Sequence, residues 1–280
     1  MSPGRLSPLA DVKALAFDVF GTVVDWRSSV TDELCVRAHR KLTRSSSSSE
    51  TPLPASAKSR LESVGEDGWG RFAQEWRDSY GRFTRGFDPS TDPWKTIDEH
   101  HHDSLVSLLA GWGLADLYTP SETESLSLVW HRLRPWADSA PGLDALARCR
   151  GGDEALTLST LSNGNTSLLN DLADFGDLPF HRILSAETFR AYKPDPAVYL
   201  GAARELGLRP GQVAMVAAHL NDLEAARGCG LRTVYVERPQ EEAWSEDDER
   251  YRDARGWVDL WVGEGEGGFE ELARRLSRGG

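Results

Sequence analysis

The chain has 280 residues, 39% of them hydrophobic, which is enough for one large domain or two modest ones with a buried core. It carries 32 Lys and Arg against 44 Asp and Glu, a formal net charge of −12, which argues against nucleic-acid binding and against a basic membrane-surface role. An anionic substrate would therefore need a local positive pocket inside a repelling field.

Cysteine spacing and hydropathy exclude further classes of protein. Cys35, Cys149 and Cys229 lie far apart and lack CxxC spacing, so neither a disulfide framework nor a zinc site is predicted. Residues 1–13 lack the apolar centre of a signal peptide, and no apolar run approaches the length of a membrane span. We expect a protein of the reducing cytoplasm without membrane or nucleic-acid partners.

The first predicted strand is the apolar run from Ala14 to Phe17, which leads into Asp18 and a Gly-Thr turn. Further short apolar runs that predict strands lie at 155–161, 182–185, 213–218, 232–236 and 258–262. The helical stretches between them lie at 141–149, 165–175, 196–206 and 222–229. This alternation predicts a doubly wound, Rossmann-like α/β fold, whose parallel sheet binds ligands at the carboxyl ends of its strands.

Residues 27–138 contain no convincing strand, and aromatic residues recur there every three or four positions, which is typical of a helix face. We predict a helical domain over 27–138, inserted into an α/β core made of 1–26 and 139–280. Within it, 43–59 is rich in Ser and Pro and predicts a flexible loop.

Polar residues that could act in catalysis or anion binding follow two of the predicted strands. Asp18 ends the first strand, and its carboxylate could serve as a nucleophile, a metal ligand or a helix cap. Thr22 adds a hydroxyl near the same point. Ser162 and Asn163 sit between a strand and a helix start, a location that suits an anion but is also common for an ordinary cap.

Two charged residues complete the set of candidates. Lys193 precedes a proline, which holds its backbone extended, although a lone lysine is usually a solvated charge. Asp222 ends the polar turn after the run 213–218, where it either caps the next helix or faces Asp18 across the sheet edge.

In order along the chain, these motifs resemble those of the haloacid dehalogenase superfamily of hydrolases. They are Asp18 with Gly-Thr, Ser162-Asn163-Gly164, Lys193-Pro-Asp-Pro and the acid Asp222. The helical insertion after the first motif resembles the small cap domain of that superfamily. The chain is most similar to the L-2-haloacid dehalogenase (type II) subgroup, and the resemblance covers nearly its whole length.

Phe20 favours the dehalogenase subgroup. Phosphatases of the superfamily usually carry a second aspartate two residues after the nucleophile, and it protonates the departing alcohol. A halide is a very weak base and needs no proton. The aromatic residue at this position therefore favours carbon–halogen cleavage over phosphate ester hydrolysis.

Two more positions match the subgroup. The segment around Arg77 resembles the cap helix that bears the halide-binding arginine, and Arg77 shares a helix face with Tyr80. A surface arginine beside an aromatic stripe is the alternative interpretation. Tyr199 matches a tyrosine of the family's site, and a core tyrosine on a helix face is the alternative there.

The fourth motif departs from the family. Members often carry Ser-Ser-Asn-x-Trp-Asp, whereas this chain has Ala217-Ala218-His219-Leu220-Asn221-Asp222. The resemblance implies a substrate-binding role for His219, because a histidine can make the hydrogen bonds of the asparagine and can also titrate. Asn221 cannot supply the apolar wall of a tryptophan.

The resemblance implies a hydrolytic dehalogenase of short 2-haloalkanoic acids. Asp18 would displace the halide with inversion and form an ester, which water then hydrolyses. Lys193 would keep Asp18 ionised and, with Asp222, position or activate the water. The residues implied in substrate and halide binding are Phe20, Thr22, Arg77, Ser162, Asn163, Tyr199 and His219.

Two alternatives remain open. One is a Mg²⁺-dependent small-molecule phosphatase, in which Asp18, Asp222 and the carbonyl of Phe20 hold the metal. The other is a non-catalytic binding or regulatory member of the fold, against which the intact Asp18, Lys193 and Asp222 argue. For the dehalogenase, the resemblance implies no metal or other cofactor, a small anionic 2-haloacid as the partner, and a homodimer as one possible assembly.

Two further features are interpreted as solvated. His100, His101 and His102 point about 100° apart on a helix, which favours a solvated helix start over a metal site. The acidic run from Glu237 to Glu249 predicts a solvated loop and helix face.

Overall fold

A computed structural model describes residues 8–44, 53–152 and 155–278. The chain divides into two compact units. The first, called the sheet unit below, joins the residues up to Asp25 with those from Arg134 onward. The second, called the helical unit, spans Trp26–Leu133 and so ends before the boundary at 138 that the sequence predicts.

The sheet unit is built around five parallel strands in the order β4-β1-β5-β6-β7. The seven strands of the described chain are β1 (Ala14–Phe17), β2 (Val24–Asp25), β3 (Arg134–Pro135), β4 (Thr157–Thr160), β5 (Val213–Ala217), β6 (Arg232–Val236) and β7 (Leu260–Val262). The strand β1 pairs with both β4 and β5, and all of its residues are buried, which explains its uninterrupted apolar run. The predicted α/β fold with a parallel sheet is confirmed.

The run at 182–185 is not a strand of this sheet, contrary to the prediction. It forms isolated bridges, at Arg182 and at Ser185. The side chain of Thr160 interrupts the backbone ladder at one point: its hydroxyl accepts from Leu184 N at 2.9 Å and donates to Leu184 O at 3.0 Å. Backbone bonds remain on either side of this contact, from Thr160 N to Arg182 O at 3.1 Å and from Ser162 N to Leu184 O at 3.4 Å.

The helical unit contains α1 (Trp26–Arg44), α2 (Ala55–Gly86), α3 (Ile97–Gly111), α4 (Pro120–Ser127) and a 3-10 helix over Leu128–Arg132. The aromatic stripe of α2 forms its core, since Trp69, Phe72 and Trp76 are buried. Of the predicted loop at 43–59, residues 45–52 lie outside the described part of the chain, and residues from Ala55 onward already belong to α2.

Two of the three histidines of α3, His100 and His101, are packed rather than solvated, contrary to the prediction, whereas the side chain of His102 is exposed. His101 is buried and stacks on Trp130 with ring centroids 4.4 Å apart. His100 stacks on Phe83 at 4.4 Å, and burial is the main cause that lowers its pKa to about 4. Among the described residues, no group of three or more His, Cys, Asp or Glu is placed to hold a metal ion.

Seven α-helices and a short 3-10 helix over Pro210–Gln212 complete the described part of the sheet unit. The α-helices are α5 (Ser139–Arg148), α6 (Thr166–Phe175), α7 (Ala186–Phe189), α8 (Pro196–Glu205), α9 (Leu220–Gly228), α10 (Glu249–Trp257) and α11 (Gly268–Arg278). The start of α8 is fixed locally, because Asp195 caps it through Ala197 N and Pro196 fills its first turn. In the described residues, no helix is both long and apolar enough to cross a bilayer.

Candidate active site

The carboxyl ends of β1 and β5 bring three charged side chains together. Asp18 directly follows β1, and its backbone N–H donates to Val216 O at 3.0 Å. The Lys193 ammonium donates to Asp18 Oδ1 at 2.9 Å and to Asp222 Oδ2 at 2.6 Å. All three side chains are about nine-tenths buried, so a single ammonium links two buried carboxylates.

Asn163 holds Lys193 in this place. Its amide oxygen accepts from Lys193 N at 2.7 Å, and its amide nitrogen donates to Lys193 O at 3.3 Å. The side chain that the sequence assigns to halide binding is therefore used on both amide atoms by the lysine backbone. Asn163 follows β4 just as Asp18 follows β1, which brings the second and third motifs to the same edge.

Thr22 ties the first motif to the fourth. Its hydroxyl donates to Asp18 Oδ2 at 2.9 Å and accepts from Ala218 N at 2.9 Å. Thr22 is fully buried, so both hydrogen bonds are shielded from water. The tight turn at Gly21, with φ of +85°, returns the chain so that Thr22 can reach back to Asp18.

Tyr199 anchors the other carboxylate. Its hydroxyl donates to Asp222 Oδ1 at 2.5 Å, so Asp222 is held between a phenol and the Lys193 ammonium. Tyr199 lies on α8 and is fully buried. Burial, followed by the nearby Asp222 charge, raises the pKa of Tyr199 well above its ordinary value, which keeps this hydroxyl a donor.

The opposite charges of the cluster stabilise the ionised forms of its side chains. Burial disfavours ionised Asp18, but Lys193 and His219 outweigh it and hold the pKa of Asp18 well below its usual range. Burial likewise opposes the charge of Lys193, and the carboxylates of Asp18 and Asp222 overcome it and raise the pKa of that lysine. Asp18 is thus a buried carboxylate that stays ionised, as a nucleophile requires.

His219 adds a second cation. Its Nδ1 lies 3.1 Å from Asp18 Oδ2, and its Nε2 lies 3.3 Å from Glu241 Oε2. Burial opposes the imidazolium, but the hydrogen bonds to the two carboxylates outweigh it and raise the pKa of His219 to about 10. Because carboxylates face both ring nitrogens, both nitrogens carry protons and donate.

The loop after β6 belongs to this site, and the interpretation of 237–249 as a solvated stretch is wrong for its first part. The buried Arg238 donates to Thr22 O at 3.0 Å. Glu241 reaches His219, and Glu242 Oε2 accepts from the first backbone N–H of α9 at 2.7 Å. Since β6 lies next to β5 and parallel to it, the loop that follows β6 starts at the same edge of the sheet.

Phe20 and Ser162 have mainly apolar or structural surroundings. Phe20 is buried, and its ring packs over Gly164, where an added Cβ would stand 3.2 Å from Phe20 Cε2. The Ser162 hydroxyl accepts from Gly164 N at 3.3 Å, as in an ordinary turn before a helix. Their predicted roles in substrate binding stay predictions.

Arg77 lies on α2 in the helical unit. Its guanidinium carbon lies 4.5 Å from the ring centroid of Tyr80 and 5.6 Å from that of Trp26. The contact with Tyr80 agrees with the shared helix face that the spacing predicts. Its role in halide binding stays a prediction.

Six of the ten predicted site residues are joined by side-chain hydrogen bonds around Asp18, and Asn163 joins them through the backbone of Lys193. The six are Asp18, Thr22, Lys193, Tyr199, His219 and Asp222. The loop residues Arg238, Glu241 and Glu242 are missing from the predicted set.

Comparison with known proteins decides the family. Residues 12–230 match the family model of the haloacid dehalogenase-like hydrolases. The chain belongs to this family. A solved structure of a defluorinating L-2-haloacid dehalogenase matches with a TM-score of 0.77 and 32% identity, covering 98% of this chain and 99% of that one. The predicted resemblance to the superfamily and to its L-2-haloacid dehalogenase subgroup is confirmed.

Curated relatives of this chain include (S)-2-haloacid dehalogenases, in agreement with the family assignment. (S)-2-Haloacid dehalogenase 1 of Pseudomonas sp. (strain CBS-3) is 32% identical over 118 residues, which cover 40% of this chain and 50% of that enzyme. The (S)-2-haloacid dehalogenase of Pseudomonas putida is 25% identical over 236 residues, or 82% of this chain and 86% of that enzyme. The first of these matches therefore spans only half of the relative's length.

Proposed function

We propose that this chain is a hydrolase of carbon–halogen bonds that converts short 2-haloalkanoic acids into 2-hydroxy acids and halide. The observation that carries the proposal is the Asp18 carboxylate, buried and kept ionised by Lys193 at 2.9 Å, with the aromatic Phe20 two residues further on. The names of the relatives support the same reaction.

In the first half-reaction, Asp18 attacks the carbon that bears the halogen from the face opposite to it. The carbon is inverted, the halide departs with the bonding electrons, and an ester forms on Asp18. The Lys193 ammonium keeps the nucleophile charged until it reacts. No acid is needed at position 20, because a halide leaves without a proton.

In the second half-reaction, water attacks the carbonyl carbon of the Asp18 ester rather than the substrate carbon. Asp222 and Lys193 position or activate this water, and the hydrogen bond from Tyr199 fixes the orientation of Asp222. Release of the 2-hydroxy acid restores the Asp18 carboxylate. The reaction uses no metal or other cofactor.

Substrate binding is assigned by resemblance. Arg77 and Asn163 would stabilise the departing halide, and Ser162 and Thr22 would hold the substrate carboxylate. The role of Asn163 is the most constrained of these, because its amide already holds the Lys193 backbone.

The decisive experiment measures chloride released from each enantiomer of 2-chloropropionate in metal-free buffer, with the configuration of the lactate product. We expect more than one chloride per protein from the (S) enantiomer and lactate of inverted configuration. Asp18→Asn should abolish release. Absence of halide from every short 2-haloacid, together with Mg²⁺-dependent hydrolysis of 4-nitrophenyl phosphate, would establish the phosphatase alternative instead.

A single turnover in heavy-oxygen water tests the ester. The label should enter the Asp18 carboxylate, because water attacks its carbonyl carbon. Label found directly in the hydroxy acid after one turnover would exclude the ester intermediate.

A further inference from the structure

The residues around Asp18 treat its two carboxylate oxygens differently. Oδ1 accepts from the Lys193 ammonium at 2.9 Å. Oδ2 accepts from the Thr22 hydroxyl at 2.9 Å and faces His219 Nδ1 at 3.1 Å. Alkylation of Oδ2 would sacrifice both of these hydrogen bonds, whereas alkylation of Oδ1 leaves both in place. Oδ1 is therefore the attacking oxygen, and Oδ2 becomes the carbonyl oxygen of the ester.

We propose that His219 and Thr22 form the oxyanion hole for hydrolysis of the Asp18 ester, and that Glu241 is the positioning residue that aims His219 at Oδ2. The inference rests on the proposed function and extends it to a residue outside the four motifs. His219 donates its Nδ1 proton to Oδ2 as a hydrogen bond and does not transfer it.

Hydrolysis of the Asp18 ester moves protons through Asp222 and Lys193. The water oxygen bonds to the Asp18 carbonyl carbon, one water proton passes to Asp222, and the carbonyl electron pair moves onto Oδ2. Collapse breaks the bond from the carbonyl carbon to Oδ1, which departs as the alcohol oxygen with a proton from Lys193. Asp222 returns its proton to Lys193, and the restored Asp18 carboxyl releases its proton to solvent. The charge on Oδ2 exists only between these two events, which is when the two donors are worth most.

Glu241 is built into this position by the backbone. Gly21 has φ of +85°, and a Cβ added there would overlap the Glu241 carboxylate, so the glycine of the first motif leaves the space that Glu241 occupies. The Glu241 side chain is 4% exposed, and its Oε2 lies 3.3 Å from His219 Nε2. A carboxylate on the far nitrogen fixes both the ring plane and the proton on Nδ1, the same way that outer-shell carboxylates orient functional histidines elsewhere.

The test separates ester formation from ester breakdown. Protein is mixed rapidly with (S)-2-chloropropionate and quenched, and the chloride released and the mass of the covalent adduct are followed together. For Glu241→Gln, which keeps the shape but removes the charge, we expect ester formation at close to the wild-type rate. Ester breakdown should slow about tenfold, and it should slow about a hundredfold in His219→Ala. The ester then accumulates, and chloride appears in a burst of about one per site.

The control is Glu237→Gln, which removes a carboxylate from the same loop and should leave both rates unchanged. A double-mutant cycle on the rate of ester breakdown distinguishes a positioning role of Glu241 from a merely structural one. Glu241→Gln should slow ester breakdown in the wild-type background and have no further effect in His219→Ala, because Glu241 acts through that histidine. Thermal unfolding of each variant checks that the fold is intact.

Three results would overturn the proposal: equal slowing of both half-reactions in Glu241→Gln, additive effects of the two substitutions, or unchanged ester breakdown in either variant. Wild-type protein that releases no halide from any short 2-haloacid would instead overturn the proposed function. Turnover by the wild type with unaffected variants would overturn only the oxyanion hole.

Discussion

Lys193 is the residue on which the charge state of the site depends. Its ammonium lies within 2.9 Å of two buried carboxylates, and each carboxylate also accepts from a hydroxyl, Thr22 on one side and Tyr199 on the other. Buried charges are stable only when such partners satisfy them. The same contacts that stabilise the ions therefore keep Asp18 ionised, which the proposed attack requires.

Replacing this lysine should damage both activity and stability. Lys193→Met keeps the aliphatic stem but leaves two buried carboxylates without their shared cation, so the pKa of Asp18 rises and the proposed water-activating pair of Lys193 and Asp222 is broken. We expect halide release to be lost and the free energy of unfolding to fall by about 3 kcal/mol. Urea denaturation measures the second effect. Lys95→Met, which breaks an exposed pair with Asp103, should change stability by less than about 1 kcal/mol.

His219 should give the protein an alkaline limit of stability. Its pKa rises from the usual 6.5 in the unfolded chain to about 10 in the fold, so its contribution is complete below pH 6.5 and disappears as the pH rises through about 10. Between those pH values, we expect the wild type to lose about 2 kcal/mol more unfolding free energy than His219→Asn. Parallel pH profiles for the two proteins would contradict the assignment. The exposed His102 supplies the control substitution, His102→Asn.

At the scale of elements, the turn after β1 and the loop after β6 fit each other. The positive φ at Gly21 turns the chain toward Asp18, and the missing side chain admits the Glu241 carboxylate. Arg238, at the start of the same loop, donates to the carbonyl of Thr22 at 3.0 Å. The loop after β6 therefore contacts the turn that contains Gly21 and Thr22, in addition to the contacts that the turn makes with its neighbouring strands.

This fit can be measured with a matched pair of glycines. Gly21 and Gly207 both have positive φ, +85° and +68°, but a Cβ at Gly207 would meet no atom within 4 Å. Both substitutions to alanine should cost about 1–2 kcal/mol for the backbone conformation. Gly21→Ala should cost at least about 1 kcal/mol more, because it displaces Glu241, and it alone should reduce turnover. Equal losses in urea denaturation would argue against a packed Glu241.

Much of the site could be predicted because it follows strand ends. Asp18 and Asp222 are separated by more than 200 residues in the chain, yet both follow neighbouring parallel strands, so their convergence is a property of the fold. Glu241 could not be found in the same way. It lies in an acidic run whose composition predicts solvent, and its contact depends on a loop conformation with Gln240 at φ of +62° that no pattern encodes.

The run at 182–185 illustrates the opposite error. Its composition is that of a strand, but the Thr160 hydroxyl bonds both Leu184 N and Leu184 O and interrupts the backbone ladder there. The prediction that His101 is solvated is wrong for a related reason. Its polarity favours water, but stacking on Trp130 buries the imidazole. Periodicity finds elements, whereas specific side-chain contacts decide their edges and surroundings.

For the whole molecule, the formal charge of −12 is a poor guide to the site. Around Asp18, two cations, Lys193 and His219, face three carboxylates, those of Asp18, Asp222 and Glu241. In the proposed reaction, alkylation of Asp18 would remove one negative charge and leave this cluster neutral. Local pairing, not the net charge, sets the electrostatics of the reaction.

The sheet unit is interrupted by a long insertion, and Arg238 links the chain on either side of it. Its guanidinium donates to Thr22 O, before the insertion, and to both oxygens of Asp138, after it, at 2.6 and 2.8 Å. Asp138 in turn accepts from Phe269 N at 2.7 Å, at the start of α11. Arg238 is 7% exposed, so these bonds are formed away from water.

Removing this link should destabilise the sheet unit far more than removing a surface pair. Arg238→Met leaves the Asp138 carboxylate without its cation, and we expect the free energy of unfolding to fall by about 3 kcal/mol in urea denaturation. Arg232→Met breaks the exposed pair with Asp259 and should cost less than about 1 kcal/mol. Adding Asp138→Asn to Arg238→Met should restore part of the loss, because the remaining buried charge is then removed. A double variant as unstable as the sum of the two single ones would mean that packing of the guanidinium, rather than the ion pair, holds these segments together.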